Sequence, residues 1–269
     1  MHRKQVFSMV LAAFVVLYLA APSAQAEHQE EFTKVLPLSS KGTFSLSNVN
    51  GSVVISTWKD EKVEIRALKR TKRSAENLEK VKIEIEATAN SVSVKTIYPK
   101  RSNTGVSVYY EVKAPEGVNL DKVSTVNGKV RLTGPFGRVL ASAVNGGVSA
   151  ENASGDLSFS TTNGSVEAAN IRGGIDANTV NGSISLEVGT VEEGIRAKTV
   201  NGGITLRLAS AESLNADFFA KTVNGGISVD FPISFQNLSK TRHKLEGQIG
   251  KGGPEIYVQT VNGSIHLTR

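Results

Sequence analysis

From Val123 onward the chain alternates apolar and polar residues with period two, in short runs punctuated by Asn-Gly pairs. Three places after these asparagines stand Val130, Val148, Val166, Ile184, Ile204, Ile227 and Ile265. Five places after stand Leu132, Ala150, Ala168, Leu186, Leu206, Val229 and Leu267, and four places before stand Val123, Ala141, Phe159, Ala177, Ala197, Ala220 and Val258. The residues between are mostly Ser, Thr, Lys, Arg, Glu or Gly. Period-two alternation marks strands with one buried face, and β-branched side chains suit a pleated, half-buried surface.

The same corner is written eight times: Asn50-Gly51, Asn127-Gly128, Asn145-Gly146, Asn163-Gly164, Asn181-Gly182, Asn201-Gly202, Asn224-Gly225 and Asn262-Gly263. From Asn127 the spacings are 18, 18, 18, 20, 23 and 38, so one unit repeats and later copies carry insertions. A second punctuation, "GPFG" at 134–137, "ASGD" at 153–156 and "IRGG" at 171–174, falls between the Asn-Gly pairs. Each unit reads strand, Asn-Gly corner, strand, glycine corner. Tolerance of positive φ is the expected reason for Asn and Gly at the corners.

Two windings fit these columns. An antiparallel β-meander or sandwich would use each Asn-Gly pair as a hairpin turn. A single-stranded parallel β-solenoid (β-helix) of about seven or eight coils would stack like residues on like. Two observations favour the solenoid. The residue before the Asn is Val in seven of eight units, where a hairpin would put it on the polar face. A single-layer meander also leaves its apolar face uncovered, and the repeat region has no helices to cover it. The expectation is an all-β solenoid of roughly 35–40 Å at about 4.8 Å per coil, with the asparagines hydrogen-bonded in a ladder along one edge.

Residues 43–120 are less regular. "TFSLSNVNGSVVIST" is one more unit, and "KVEIRAL", "SVSVKTIYP" and "GVSVYYEVKAP" alternate like strands. "SAENLEKVKIEI" predicts a short helix near 74–81, with Ser74 as its N-cap and Leu78 and Val81 at helical spacing. The expected organisation is a signal peptide (1–26), an N-terminal β-rich region (27–120) and the repeats (121–269), with an insertion at 232–255. One continuous core through both parts fits equally well.

The opening residues change where the protein is expected. Positive residues at Arg3 and Lys4, an apolar run from Val6 to Ala21 and "APSAQA" have the form of an export signal cut near Ala26. No membrane-spanning segment is expected after cleavage. The chain is then destined for the periplasm, the cell envelope or the exterior. Cysteine is absent, which excludes disulfides and thiolate chemistry. The formal charge is +6, of which Arg3 and Lys4 lie in the leader, a mild excess that permits an anionic partner. Aromatic residues make up 6%, which argues against a stacking platform and against nucleic acid as a partner.

Together the export signal, "NVNGSVVISTW", "VYYEVKAPEGVNLDKVSTVNGKV", the repeated TVNG-x-I-x-L units and the closing "GQIGKGGPEIYVQTVNGSIHLTR" resemble the bacterial provisional-adhesin, β-strand-repeat family, a family of unknown function. The resemblance covers nearly all of 43–269. It implies a β-solenoid in the cell envelope and, loosely, adhesion. It brings no catalytic residues.

No chemistry stands out beside it. His28, His243 and His266 have no partner at a metal-ligand spacing. Glu167, Asp176 and Glu187 are scattered, not stacked as a carboxylate pair. "GKGGP" at 250–254 lacks the Lys-Ser/Thr end and following helix of a phosphate loop. The Asp of "GGIDANT" does not recur, which argues against a calcium roll. Neither cofactor, metal nor catalytic residue is expected. Three basic clusters are the candidate anion-binding residues: Lys69, Arg70, Lys72 and Arg73; Lys100 and Arg101; Arg242 and Lys244. The expected function is a non-enzymatic, adhesin-like binding or structural module contacting anionic polysaccharide or lipid headgroups. The alternatives are a polysaccharide-acting β-helix enzyme and a self-assembling envelope scaffold.

Overall fold

A computed structural model describes residues 27–100, 103–190, 193–208, 214–230 and 235–268. The leader and Arg101 lie outside them. The chain is all-β apart from one short helix. It opens with β1 (His28–Pro37), β2 (Thr43–Ser47), β3 (Val53–Trp58), β4 (Lys62–Thr71), α1 (Glu76–Lys80), β5 (Lys82–Ala87), β6 (Ser91–Ile97) and β7 (Val106–Pro115). The repeats follow as β8 (Asn119–Asn127), β9 (Val130–Asn145), β10 (Val148–Asn163), β11 (Val166–Arg172), β12 (Ile175–Asn181), β13 (Ile184–Thr190), β14 (Ile195–Asn201) and β15 (Ile204–Leu208). The end comprises β16 (Ala216–Lys221), β17 (Ile227–Val229), β18 (Phe235–Lys240), β19 (Lys244–Ile249), β20 (Glu255–Asn262) and β21 (Ile265–Thr268).

Repeat strands pair in parallel, unit upon unit, and not across their own Asn-Gly corner as a meander would. Val148 sits beside Val130 and Val166, and Asn163 beside Asn145 and Asn181. Two ladders result. The strands before the corners run β5-β6-β2-β8-β9-β10-β12-β14-β20-β16-β19-β18. The strands after them run β1-β4-β7-β3-β9-β10-β11-β13-β15-β21-β17. β9 and β10 serve both ladders by bending at the glycine corner. The inward columns of both ladders meet in one hydrophobic cluster that runs from Leu38 to Leu267 through both halves of the chain. Burying each Val or Ile of these columns contributes about 1.5–3 kcal/mol.

The order in space departs from the order in sequence at both ends. The Asn50 unit lies inside the stack, between β6/β7 and β8/β9. The last unit of the chain, β20/β21, is likewise slotted between the Asn201 and Asn224 units. Antiparallel strands close three of the four ladder ends: β1 and β4 on β7, β5 on β6, and the β18–β19 hairpin on β16; among the described residues the second ladder ends on the parallel β17. The 232–255 insertion therefore supplies this hairpin cover as well as the glycine loop. The short helix spans Glu76–Lys80 with Leu78 and Val81 buried, but no side chain caps it: Ala75 is the N-cap, and Ser74 contributes its carbonyl to Asn77 N–H.

Candidate functional site

The corners form a continuous tie along the molecule. Asn127 Nδ2 donates to Asn50 Oδ1 at 2.7 Å, and the same bond recurs for 145→127, 163→145, 181→163, 201→181, 262→201 and 224→262 at 2.8–3.0 Å. Beneath it runs a second tie that the hydrophobic columns did not reveal. The Thr two places before the Asn is buried, and its hydroxyl donates to the corner glycine carbonyl of the adjoining unit. Thr125, Thr161, Thr179, Thr199, Thr222 and Thr260 bond Gly51, Gly146, Gly164, Gly182, Gly263 and Gly202 at 2.7–2.9 Å. A buried hydroxyl needs such a partner. The valines before the asparagines are the ones left outside: Val126, Val144, Val180, Val200 and Val223 are 37–51% exposed. Their position therefore gives no support to the solenoid over the meander; the parallel register does.

The corner glycines also have a different reason from the expected one. Gly182 does not take a positive φ. A Cβ there would lie 2.0 Å from the Gly164 carbonyl oxygen, so the units stack too closely for any side chain. Among the Asn-Gly corners only Gly51 and Gly146 have the expected positive φ; otherwise it belongs mainly to the second corner, at Gly134, Gly155 and Gly173 and at Asn152 and Asn170. Asn170 Nδ2 donates to Asn152 Oδ1 at 2.5 Å, a short second ladder whose 18-residue spacing was present in the sequence.

The basic clusters separate. Lys69 points inward, 7% exposed, where Nζ meets Glu30 Oε1 at 2.9 Å and donates to the Leu78 carbonyl at 3.3 Å. It is withdrawn from any external anion because period two puts it on the core face with Ile65 and Ala67. Arg70 faces out with its guanidinium 5.6 Å from the Tyr109 ring centroid. Arg73 Nη1 donates to the Asn103 carbonyl at 2.5 Å, which brings the 69–73 run to the segment that opens β7. Lys72 and Lys100 are exposed. Arg242 and Lys244 stand at the opposite end, nine strands from β6 to β19 along the first ladder, or roughly 40 Å.

At that far end the structure assembles a surface that the sequence did not disclose. Lys198, Gln259, Lys221 and Lys244 form one outward row across β14, β20, β16 and β19. The exposed Lys240 and Arg242 flank the β18–β19 turn, whose His243 carbonyl accepts from Thr222 N–H. Beside the lysine row, Tyr257 and Phe219 stack with centroids 5.0 Å apart and planes 10° apart. Arg196 lies 5.4 Å from the Tyr257 ring, Lys198 5.1 Å from the same ring, and Lys244 5.4 Å from Phe219. Arg196 and Lys244 also reach Glu255 and Glu246. The inserted final unit makes this surface, since it brings Tyr257 between Arg196 and Phe219.

The remaining candidates gain no chemistry. His28 is on β1, His243 in the β18–β19 turn, and His266 Nδ1 shares a 2.7 Å hydrogen bond with Ser228 Oγ. Glu167 and Glu187 line a shallow groove with Glu151 and Arg131, whereas Asp176 lies in the other ladder and accepts from Asn178 at 2.6 Å. No group of three His, Cys, Asp or Glu among the described residues is placed to hold a metal. The 250–254 loop leads into β20, not into a helix, and Lys251 N–H donates to Asn215 Oδ1 at 2.8 Å. No helix among the described residues is long and apolar enough to cross a membrane.

Two tyrosines near the N-terminal end are buried. Tyr110 Oη shares a 2.7 Å hydrogen bond with Thr96, and Tyr98 Oη donates to the Val106 and Asn50 carbonyls. Burial pushes both phenols up to about 12.

Parallel strand units on one core, tied by Asn and Thr at their corners, define an all-β strand-repeat protein. The Toastrack DUF4097 family matches residues 30–268, and the chain belongs to that family, one of unknown function. No curated protein matches. Among solved structures, a protein of Clostridium sporogenes provisionally named a cell adhesion protein is 15% identical, with 89% of this chain and 99% of that one covered at a TM-score of 0.35. One from Bacteroides fragilis, provisionally named an adhesin, is 13% identical over 88% and 97% of the two chains, TM-score 0.38. A third, from Parabacteroides distasonis and provisionally named a lipid binding protein, is 13% identical over 89% and 97%, TM-score 0.42. Overlap this loose carries neither fold nor function; the family rests on the sequence match.

Proposed function

We propose that this protein is an exported, non-enzymatic β-solenoid of the bacterial cell envelope that binds anionic groups, in polysaccharide or lipid headgroups, through outward cations. The observation that carries the reading is the row of Lys198, Lys221 and Lys244 with Lys240 and Arg242 beside it. Cations gathered on one face attract a polyanion, and the attraction weakens with salt. Lys72 and Lys100 form a smaller second contact at the other end. The repeats themselves serve architecture, because their common residues are used in ties between units. Adhesion is the role this arrangement supports.

The test is binding of the mature protein to anionic vesicles and to an anionic polysaccharide at low and high salt. K198Q/K221Q/R242Q/K244Q is expected to weaken binding at least about tenfold and to flatten the salt dependence. Unchanged binding and unchanged salt response would remove this face from the function.

The reading as a self-assembling scaffold finds less support. The final strand, which on sequence order would leave an open edge, is internal. The outermost β1 carries Glu30, Glu31 and Lys34, β18 has a register shift, and the edge strand β17 is only three residues long, all of which discourage edge pairing.

A further inference from the structure

On the other side of the aromatic pair from the lysine row lies a groove of about 460 Å³. Its walls include Asp217, Asn237 and Gln248, the edges of Phe219 and Tyr257, and Glu246 and Glu255, whose charges are paired with Lys244 and Arg196. The polar groups form a chain: Asn237 Nδ2 donates to Gln248 Oε1 at 3.3 Å, and Gln248 Nε2 donates to Asp217 Oδ1 at 3.1 Å. A carboxylate offers about four acceptor sites, of which the Gln248 bond uses one. Asn237 reaches this place because its backbone is turned to φ +52, inside the register shift between Gln236 and Ser239. Such bulges re-aim a side chain and gather beside binding sites.

The aromatic pair is a wall here, not a platform. Phe219 and Tyr257 cover one face of each other, and Arg196 and Lys244 cover the outer faces. Only ring edges are left for a ligand. The surface thus presents three parallel strips in rung order: amide and carboxylate groups, aromatic edges, then lysines. Planar amides and carboxylates are suited to hydroxyl groups, and the lysines to acid groups a few ångströms away. A lipid headgroup would present the acid but would leave the polar strip without partners.

We propose that this face binds an acidic polysaccharide, with sugar hydroxyls in the Asp217–Gln248–Asn237 groove and the acid groups on Lys198 and Lys221. The inference deepens the anion-binding function above and rests on it. Three probes separate the two: alginate oligosaccharides as an acidic glycan, polyphosphate as an anion without sugar, and dextran as a neutral glycan. Binding of the mature protein is measured by calorimetry at fixed ionic strength. Alginate is expected to bind more tightly than polyphosphate, and dextran weakly or not at all. Asp217→Ala and Asn237→Ala are each expected to weaken alginate about tenfold and to leave polyphosphate unchanged, whereas K198Q/K221Q weakens both. If the groove variants leave alginate unchanged, or weaken both anions equally, the glycan assignment is overturned and the charge reading survives. If K198Q/K221Q changes neither anion, the charge reading itself fails. Circular dichroism of each variant against wild type excludes misfolding as the cause.

Discussion

In the five TVNG units two residues take opposite sides from those their hydropathy implies. In "KTVNG" the Val is outside and the Thr is inside. Strict alternation from Ala197 puts Thr199 on the core face; hydrophobicity would prefer Val200. Alternation wins because the corner glycine carbonyl needs a donor, and a hydroxyl supplies it where a methyl cannot. Thr179→Val should therefore cost about 1 kcal/mol in urea unfolding despite its equal size, since it orphans the Gly164 carbonyl. Gly182→Ala should cost at least about 3 kcal/mol, because its Cβ would meet backbone at 2.0 Å and not a movable side chain. The tyrosines give a pH signature. Their folded pKa values are raised to about 12, so above pH 10 the unfolded chain releases its phenol protons first. Stability from this source is whole below pH 10 and is lost as pH rises toward 12. Tyr110→Phe should flatten the fall of the urea midpoint between pH 10 and 11.5.

Among the elements, β4 shows how period two can hide a charge. Residues 69–73 read as an exposed basic run, yet every second side chain of a half-buried strand faces the core. Lys69 is accommodated there by Glu30 across the β1–β4 pair and by the Leu78 carbonyl of α1. Removing one partner of such a pair leaves a buried charge, whereas an apolar replacement of the charge itself does not. Glu30→Ala should therefore lower the thermal midpoint more than Lys69→Met does, and the double variant should resemble Lys69→Met. A double variant whose loss is the sum of the two single losses would mean that the pair contributes nothing specific. The helix was legible from Leu78 and Val81, whose spacing meets the core; its cap was not, because Ser74 precedes the helix by two residues.

Across the whole molecule, the order of stacking departs from the order of the chain. β20/β21 is an internal unit, so losing it should do more than shorten the stack. Truncation after Pro254 should abolish hydrogen-exchange protection of β16 through β19 and leave β10 to β13 protected, with light scattering rising as the β14 and β15 edges open. The full mature chain should scatter as a single species independent of concentration. Self-association of the full chain would return the scaffold reading to the front.

The sequence by itself determined the strands, the eight corners, their alignment and the Asn ladder, since these are local facts of alternation and spacing that every unit repeats. Only tertiary structure decided which unit lies beside which. The Asn224 and Asn262 units are nearly interchangeable in their corner residues, so no local preference orders them, and in the folded chain the β18–β19 hairpin takes the outer edge of β16 while β20 takes the inner one. That choice puts Tyr257 against Phe219 and sets Lys198, Lys221 and Lys244 in one row, which is why the candidate surface could not be read along the chain.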